Sequence, residues 1–281
     1  NYFTALSEIK GIDLLDTSRV TNMAGMFFGC SNLATLDLSS FNTSKVTAMY
    51  NMFFECSKLT SLNLNNFDTS NVTNTGFMFY KCSCLSKLDV SSFNTGKVSN
   101  MTSMFEGCSS FTELDVTGFD TSSATDMMFM FSGCSNLAAL NVSNFDTSKV
   151  KTMRALFKGC SGLGTIDISN FDTRNVTNMA EMFSGCYNLA TIQLGELNTS
   201  SVTTMSKLFN FCSKLTTIDV SSWTTDNVVS FESMFASCSG IQTLNVTGFR
   251  TNKATNMGNM FANCTNLTSL DVSNFNTSMV T

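Results

Sequence analysis

The chain has 281 residues, no histidine and no proline, and only 13% of its residues are charged. Without histidine it lacks the commonest general base, metal ligand and pH switch of proteins, so we expect no enzymatic activity, no cofactor and no metal site. The net charge of −5 argues against nucleic acid as a partner, because phosphate binding needs a basic surface. No apolar run approaches the roughly 20 residues of a membrane-spanning helix, so we predict no membrane span in this segment.

The cysteines reveal the organisation of the chain. Ten of the eleven recur every 26 residues, and Cys84 alone falls outside this column: Cys30, Cys56, Cys82, Cys108, Cys134, Cys160, Cys186, Cys212, Cys238 and Cys264. A fixed period of this length is typical of solenoids, in which each repeat packs against its neighbours. We predict a single repeat domain over 1–281, with a degenerate first unit at 1–14 and about eleven units in all. Neither end shows a polar capping repeat, so we expect a fragment of a longer protein.

Each unit begins with the pattern of a short strand. After Cys30, Leu36 and Leu38 alternate with Thr35 and Asp37. This alternation predicts a strand with its leucine side buried and its polar side in solvent. Because the pattern returns in every unit, we expect the strands to pair in parallel, one per turn of the solenoid.

The second half of each unit is predicted to be a short helix. Asp-Thr-Ser at 68–70 and its equivalents offer N-cap chemistry. Val46, Met49 and Met52 then follow at helical spacing, and glycine often precedes the next cysteine, where a helix would end. Strands stack about 4.8 Å apart, whereas packed helices need about 8–10 Å. We therefore predict an α/β solenoid bent into a horseshoe, with a parallel sheet on the concave face and short helices on the convex face.

The repeat resembles a known family. Leu-x-x-Leu-Asp-Val/Leu looks like the core of a leucine-rich repeat. The fuller pattern, Cys-Ser-x-Leu-x-x-Leu-Asp-Val-Ser-x-Phe-Asp-Thr-Ser-x-Val-Thr-x-Met-x-x-Met-Phe-x-Gly, resembles the BspA-type repeats of bacterial surface proteins and mycoplasma lipoproteins, from about residue 15 to 281. Phenylalanine replaces the usual asparagine after the strand segment. The resemblance implies a leucine-rich-repeat fold, a secreted or cell-surface location and a role in adhesion, with no catalytic residues.

The cysteine column admits three interpretations. Zinc binding requires ligands that converge from short-spaced pairs, and Cys82/Cys84 is the only close pair. Disulfides between neighbouring repeats are conceivable by distance, but side chains in register point the same way. Cysteine is also a small residue that is readily buried. We predict buried free thiols, with Cys84 as the reactive exception.

A polar residue occupies the solvent-facing position of every strand: Asp37, Asn63, Asp89, Asp115, Asn141, Asp167, Gln193, Asp219, Asn245 and Asp271. Acids and amides nearly alternate, which relieves repulsion between neighbouring strands and favours a polar ladder for stacking. A ligand-binding face is the second interpretation, and a calcium site is the third. If the face binds a ligand, we expect its contacts to come from this set of residues: Asp37, Asp89, Asp115, Asp167, Asp219, Asp271, Lys87 and Glu113.

Two further columns stand out. A threonine recurs every 26 residues from Thr43 to Thr277, a position that favours helix capping over ice binding. Phe28, Phe54 and Tyr80 hold equivalent positions in three successive units, so they should stack near the N-terminal end. This aromatic patch indicates either contact with a partner or partial burial under the next turn.

These observations favour a surface-exposed, non-catalytic adhesion module. The concave polar face would present its side chains to a host or matrix protein. The alternative is a structural role, in which near-identical units stack end to end into a filament or act as a rigid spacer.

Overall fold

The computed structural model describes residues 3–281, so the first two residues of the predicted unit 1–14 lie outside the described range. The chain forms a stack of 26-residue coils. A 3-10 helix at Ile12–Leu14 precedes the short strands, which follow in chain order: β1 at Thr35–Leu36, β2 at Ser61–Leu62, β3 at Thr165–Asp167, β4 at Thr191–Gln193, β5 at Thr217–Ile218 and β6 at Thr243–Leu244.

The strands pair in parallel and in register across neighbouring coils. Thr35 pairs with Ser61, and Ile166 of β3 pairs with Ile192 of β4. The offset is 26 residues in each pair, as the sequence predicts. The prediction of one strand in every turn is confirmed for six coils only, because within residues 3–281 the coils that contain Leu88, Leu114, Leu140 and Leu270 form no strand. The strands therefore make three separate pairs, β1–β2, β3–β4 and β5–β6, instead of one continuous parallel sheet. The alternation also has its predicted consequence, because Ile166 is buried while its neighbour Thr165 is exposed.

The opposite side of each coil is also hydrogen-bonded to its neighbours. Isolated parallel bridges link residues 26 apart in an unbroken series from Asn22 to Asn256. In the segment that follows, alternate backbone N–H groups donate to the next coil: Met49 to Asn74, Asn51 to Gly76 and Phe53 to Met78, at 2.9–3.1 Å. We call residues 48–55 and their equivalents in the other coils the turn ribbon.

The prediction of helices is wrong, because no α-helix occurs within residues 3–281. Bonds three residues apart replace the four-residue bonds of an α-helix, as where the Met52 N–H donates to the Met49 carbonyl at 3.2 Å. The ribbon is therefore a run of β-turns that alternate with bonds to the next coil. Two left-handed residues in each coil make this possible, such as Asn51 with φ 58° and Glu55 with φ 56°.

Because the predicted helices are not present in residues 3–281, the predicted horseshoe curvature has no physical basis. The buried phenylalanines of the ribbon stack on their counterparts, with centroids 5.4–6.0 Å apart from Phe27 to Phe261. Packed helices would need about 8–10 Å. The two sides of the coil therefore differ much less in spacing than a strand–helix unit requires.

The core lies between the strands and the ribbon. Val46, Met49, Met52 and Phe53 are completely buried, so the predicted burial is confirmed although the predicted backbone is not. Leucines of the strand segment pack against them from the other side. One continuous apolar core thus runs along the stack and leaves only the outer side chains for function.

Candidate functional site

The cysteine column is structural. All eleven thiols are free, nine of the ten column members are buried, and Cys84 is exposed, as predicted. Burial raises the pKa of Cys56, Cys160 and Cys238 to about 12. These thiols are therefore protonated and inert near neutral pH. Within residues 3–281 no group of three cysteine or acidic side chains is arranged to hold a metal ion.

The threonine column also has a structural role, but not the predicted one. The Thr69 hydroxyl donates to the backbone carbonyl of Asn94 at 3.0 Å and accepts the Asn94 N–H at 2.7 Å. Thr43 makes the same two bonds to Asp68. Helix capping is therefore wrong, since there is no helix to cap, and each hydroxyl instead joins one coil to the next.

Within residues 3–281, every residue of the polar ladder except Gln193 accepts a hydrogen bond from the backbone two residues later and so begins a turn after the strand segment. Asp89 accepts the backbone N–H of Ser91 at 2.9 Å, and Asn63 accepts that of Asn65 at 3.1 Å. Hydrogen bonds from the Ser91 hydroxyl and N–H also lower the pKa of Asp89 below its usual value. Aspartate and asparagine make this bond equally well, which explains why both occur in the ladder.

All eight predicted strand-face residues are exposed and lie on the same side of the stack: Asp37, Lys87, Asp89, Glu113, Asp115, Asp167, Asp219 and Asp271. We call this surface, with the other exposed residues of the strand segments, the strand face. Lys87 and Glu113 form an ion pair at 2.6 Å. Shallow depressions of about 470 and 620 Å³ lie along the face, and Asp37 and Asp271 help to line them.

The net negative charge of the protein lies on the strand face. Seven carboxylates and one lysine among these eight residues give the face a net charge of −6, whereas the whole chain carries −5. The rest of the molecule is therefore close to neutral. Hydrogen bonds from Ser or Thr two residues later lower the pKa of each of the six aspartates, so the face stays anionic in mild acid.

The predicted aromatic patch is assembled on the turn ribbon. Phe54 stacks on Phe28 at 4.3 Å and on Tyr80 at 4.5 Å between ring centroids. Phe77, which the sequence reasoning missed, packs edge-on against Tyr80 at 5.7 Å. All four rings are half-buried, and Lys81 lies 5.0 Å from the centre of the Tyr80 ring. A role in partner contact stays a prediction.

Sequence reasoning also missed a charged group on the turn ribbon. Glu181 accepts a hydrogen bond from Arg154 at 3.2 Å and a second, shorter one from Lys158. Burial raises the pKa of Glu181, but the two cations outweigh this effect and lower it below the usual value. The sequence could have revealed this group, because Arg154 and Lys158 lie in the coil before Glu181 and the 26-residue period brings them next to it. Because the two ion pairs join neighbouring coils, this group stabilises the stack.

The part of the chain that the structure describes contains no helix long and apolar enough to span a membrane. A search of the curated proteins finds none with significant similarity. Among solved structures, the chain aligns with a leucine-rich repeat protein from Bacteroides ovatus at 18% identity and a TM-score of 0.43, over 90% of this chain and 70% of that one. It also aligns with a leucine-rich cell surface protein from Faecalibacterium prausnitzii at 18% identity and a TM-score of 0.42, over 89% and 77%.

A third alignment is with a leucine-rich repeat protein from T. pallidum, at 22% identity and a TM-score of 0.38, over 66% of this chain and 75% of that one. A family model matches residues 1–114, 111–192 and 188–281, and so the whole chain. This match confirms the predicted resemblance to a repeat family of bacteria and mycoplasmas. The chain belongs to the family described as Mycoplasma protein of unknown function, DUF285.

Proposed function

We propose that this protein is a non-catalytic binding module of the cell surface, and that its strand face contacts a host or matrix protein. One observation carries the proposal. Within residues 3–281, the exposed hydroxyls of Thr165, Thr191, Thr217 and Thr243 form no side-chain hydrogen bond, unlike the buried threonine column. Thr165 pairs with Thr191, and Thr217 pairs with Thr243, on neighbouring parallel strands beside the polar ladder.

Groups with no structural task are free to contact a ligand. The strand face combines these hydroxyls with amides and carboxylates, and two depressions shape its surface. It lacks aromatic side chains, which argues against a sugar-stacking platform. A rigid, polar and charged surface of this kind suits recognition of a protein by hydrogen bonds and charge. The cell-surface location rests on the family resemblance, since BspA-type repeats imply surface proteins.

The experiment compares matched surface variants. Surface plasmon resonance would measure binding of the purified chain to laminin, collagen and fibronectin. The double variant Thr191→Arg/Thr217→Arg places two bulky cations on the strand face. Val229→Arg is the control, because Val229 is 42% exposed but adjoins the turn ribbon. We expect the double variant to lose binding and the control to retain it, and the opposite pattern would refute the proposal.

Self-assembly is the competing function. An adhesion module should remain monomeric at micromolar concentration without ligand, which light scattering after size exclusion would measure. Filaments in negative-stain images of the ligand-free chain would favour the structural alternative.

A further inference from the structure

One turn of the stack lacks the hydrogen bonds that close the others. After the strand segment, the bulky residue of each coil donates its N–H to the carbonyl three residues earlier, as Phe171 does to Ile168 at 2.9 Å. Within the part of the chain that the structure describes, only the N–H of Leu197 makes no such bond. The same coil holds Gln193, the one ladder residue between 3 and 281 whose side chain accepts no backbone N–H. We call residues 193–197 the loose turn.

The packing beside the loose turn also leaves a polar group unsatisfied. Leu197 replaces the phenylalanine that most coils carry at this position, and Trp223 occupies the position one coil later. The indole N–H of Trp223 is buried and makes no hydrogen bond within residues 3–281. A buried donor without an acceptor costs free energy, which is recovered when the segment opens to water. The loose turn is therefore held less firmly than its counterparts.

The tip of the loose turn is accessible from solvent. Gly195 and Glu196 are exposed, whereas Leu194 and Leu197 are buried on either side of them. Exposed turn tips that few hydrogen bonds hold can open locally at low cost, and they are the preferred sites of proteolytic cleavage. Endopeptidases select their substrates by the side chain that precedes the cut bond. Glu196 is the side chain of this tip that such an enzyme can recognise.

We propose that the loose turn is a cleavage site for a glutamyl endopeptidase, which cuts the folded chain between Glu196 and Leu197. The reaction adds one water molecule across the peptide bond and leaves a carboxylate on Glu196 and an amine on Leu197. The glutamate provides the specificity of the cut. The missing turn bonds allow the segment to leave the stack and enter the protease.

The two products remain joined after the cut. Bonds of the turn ribbon cross from one product to the other, because the Phe183 N–H donates to the Leu208 carbonyl at 2.9 Å and the Gly185 N–H to the Asn210 carbonyl at 2.7 Å. These bonds and the continuous core hold fragments 1–196 and 197–281 in one particle. Cleavage therefore modifies the stack without taking it apart.

The test is limited proteolysis of the full chain with a glutamyl endopeptidase, followed by mass spectrometry. Glu113–Leu114 is the internal control, because it is the same kind of bond after an exposed glutamate, and bonds from Thr117 and Phe119 close the turn that follows it. Each rate is divided by the rate for the same bond in the urea-unfolded chain. The cut after Glu196 should then be at least about fivefold faster than the cut after Glu113, as expected for one missing hydrogen bond.

Three results would overturn the proposal. The corrected rates could be equal, or the cut after Glu113 could be faster. The third result is separation of the two fragments on size exclusion of the cleaved protein under native conditions.

A repaired turn should resist the enzyme although the cut bond is kept. Gln193→Asp/Gly195→Ser restores the pair that begins the preceding turn, where Asp167 accepts the Ser169 N–H at 2.9 Å. Serine also disfavours the present left-handed conformation, in which a Cβ at position 195 would lie 2.6 Å from the Ser169 carbonyl oxygen. The cut after Glu196 should slow at least about fivefold. An unchanged rate would contradict the proposal.

The converse variants create the site in the preceding coil. Asp167→Gln/Ser169→Gly/Asn170→Glu/Phe171→Leu copies the loose turn there, whereas Asn170→Glu alone adds the glutamate and keeps the residues that close the turn. The new cut after position 170 should be at least about fivefold faster in the quadruple variant. Equal cutting of both would show that an exposed glutamate suffices, which overturns the proposal. The repaired variant decides alone if the quadruple variant fails to fold.

Discussion

The thiol of Cys160 donates a hydrogen bond of 3.1 Å to the backbone carbonyl of Phe131 in the preceding coil. The same bond recurs for every column cysteine from Cys56 to Cys264. A thiolate cannot donate, so the protonated form is the one that the fold requires. The column is therefore a line of hydrogen bonds between coils, buried among apolar side chains.

Thiol labelling should separate Cys84 from the column. At pH 8 a chromogenic disulfide reagent should modify one thiol quickly in the folded protein, because Cys84 is exposed and the column thiols are buried or half-buried. Cys84→Ser should abolish this fast phase. Unfolding in denaturant should make the remaining thiols reactive. Several fast thiols in the folded Cys84→Ser variant would contradict the assigned burial.

Alkaline pH should destabilise the fold steeply. An unfolded cysteine ionises near pH 8.5–9, whereas folded Cys56, Cys160 and Cys238 ionise at about 12. The folded state thus holds more protons between these values, so the stability is complete below about pH 8.5 and is lost as pH rises toward 12. Each such thiol should reduce the free energy of unfolding by about 1.4 kcal/mol per pH unit within this window.

Urea unfolding followed between pH 7 and 10 measures this slope. Cys160→Ala removes one titrating group, so its stability should fall less steeply above pH 9 even though it is less stable at pH 7. Identical slopes for the variant and the wild type would show that the thiol does not contribute.

The threonine column should be sensitive to loss of its hydroxyl. Thr69 is 2% exposed and makes two hydrogen bonds to the backbone of Asn94. Thr69→Val keeps the shape but leaves those backbone groups unpaired, so it should cost about 1–3 kcal/mol in the free energy of unfolding. Thr69→Ser retains the hydroxyl and should cost clearly less. If the serine variant is as unstable as the valine variant, the loss of stability comes from packing and not from the hydrogen bonds.

The turn ribbon should resist a side chain at its left-handed glycines, because of their backbone conformation and not for lack of space. Gly159 has φ 68°, and an added Cβ would lie 3.6 Å from the backbone of Gly133. Gly159→Ala should therefore lower the free energy of unfolding by about 1–2 kcal/mol, the cost of a left-handed alanine. Gly164 is the control, because it has ordinary φ and nothing within 4 Å of the added atom. Gly164→Ala should be neutral or stabilising, and equal losses in both variants would exclude the backbone explanation.

The sequence predicted the buried positions and the strands of six coils, because the alternation of side chains decides which residues face the core. The fixed register also brought Phe28, Phe54 and Tyr80 together, since equivalent residues of adjacent coils must be neighbours. The backbone of the ribbon could not be predicted in the same way. Buried Met49, Met52 and Phe53 have the spacing of a helix face, and a run of β-turns buries the same positions.

Some sequence signals for the ribbon were present but ambiguous. Glycine before the column cysteine fits both a helix C-cap and a recurring left-handed turn residue. Glu55 and Lys81 occupy the same left-handed position without being glycine, which hides the pattern. The threonine of Asp-Thr-Ser likewise suits a helix cap and a bond between coils. Only the pairing of each coil with the next distinguishes the two structures.

The most direct test of the strand face as the ligand surface is photo-crosslinking. A benzophenone amino acid would replace Thr217 on the strand face or Val229 beside the turn ribbon, and each protein would be irradiated with the tightest-binding matrix protein. We predict a covalent complex from position 217 and none from position 229. A complex from position 229 alone would contradict the account and move the binding surface to the turn ribbon.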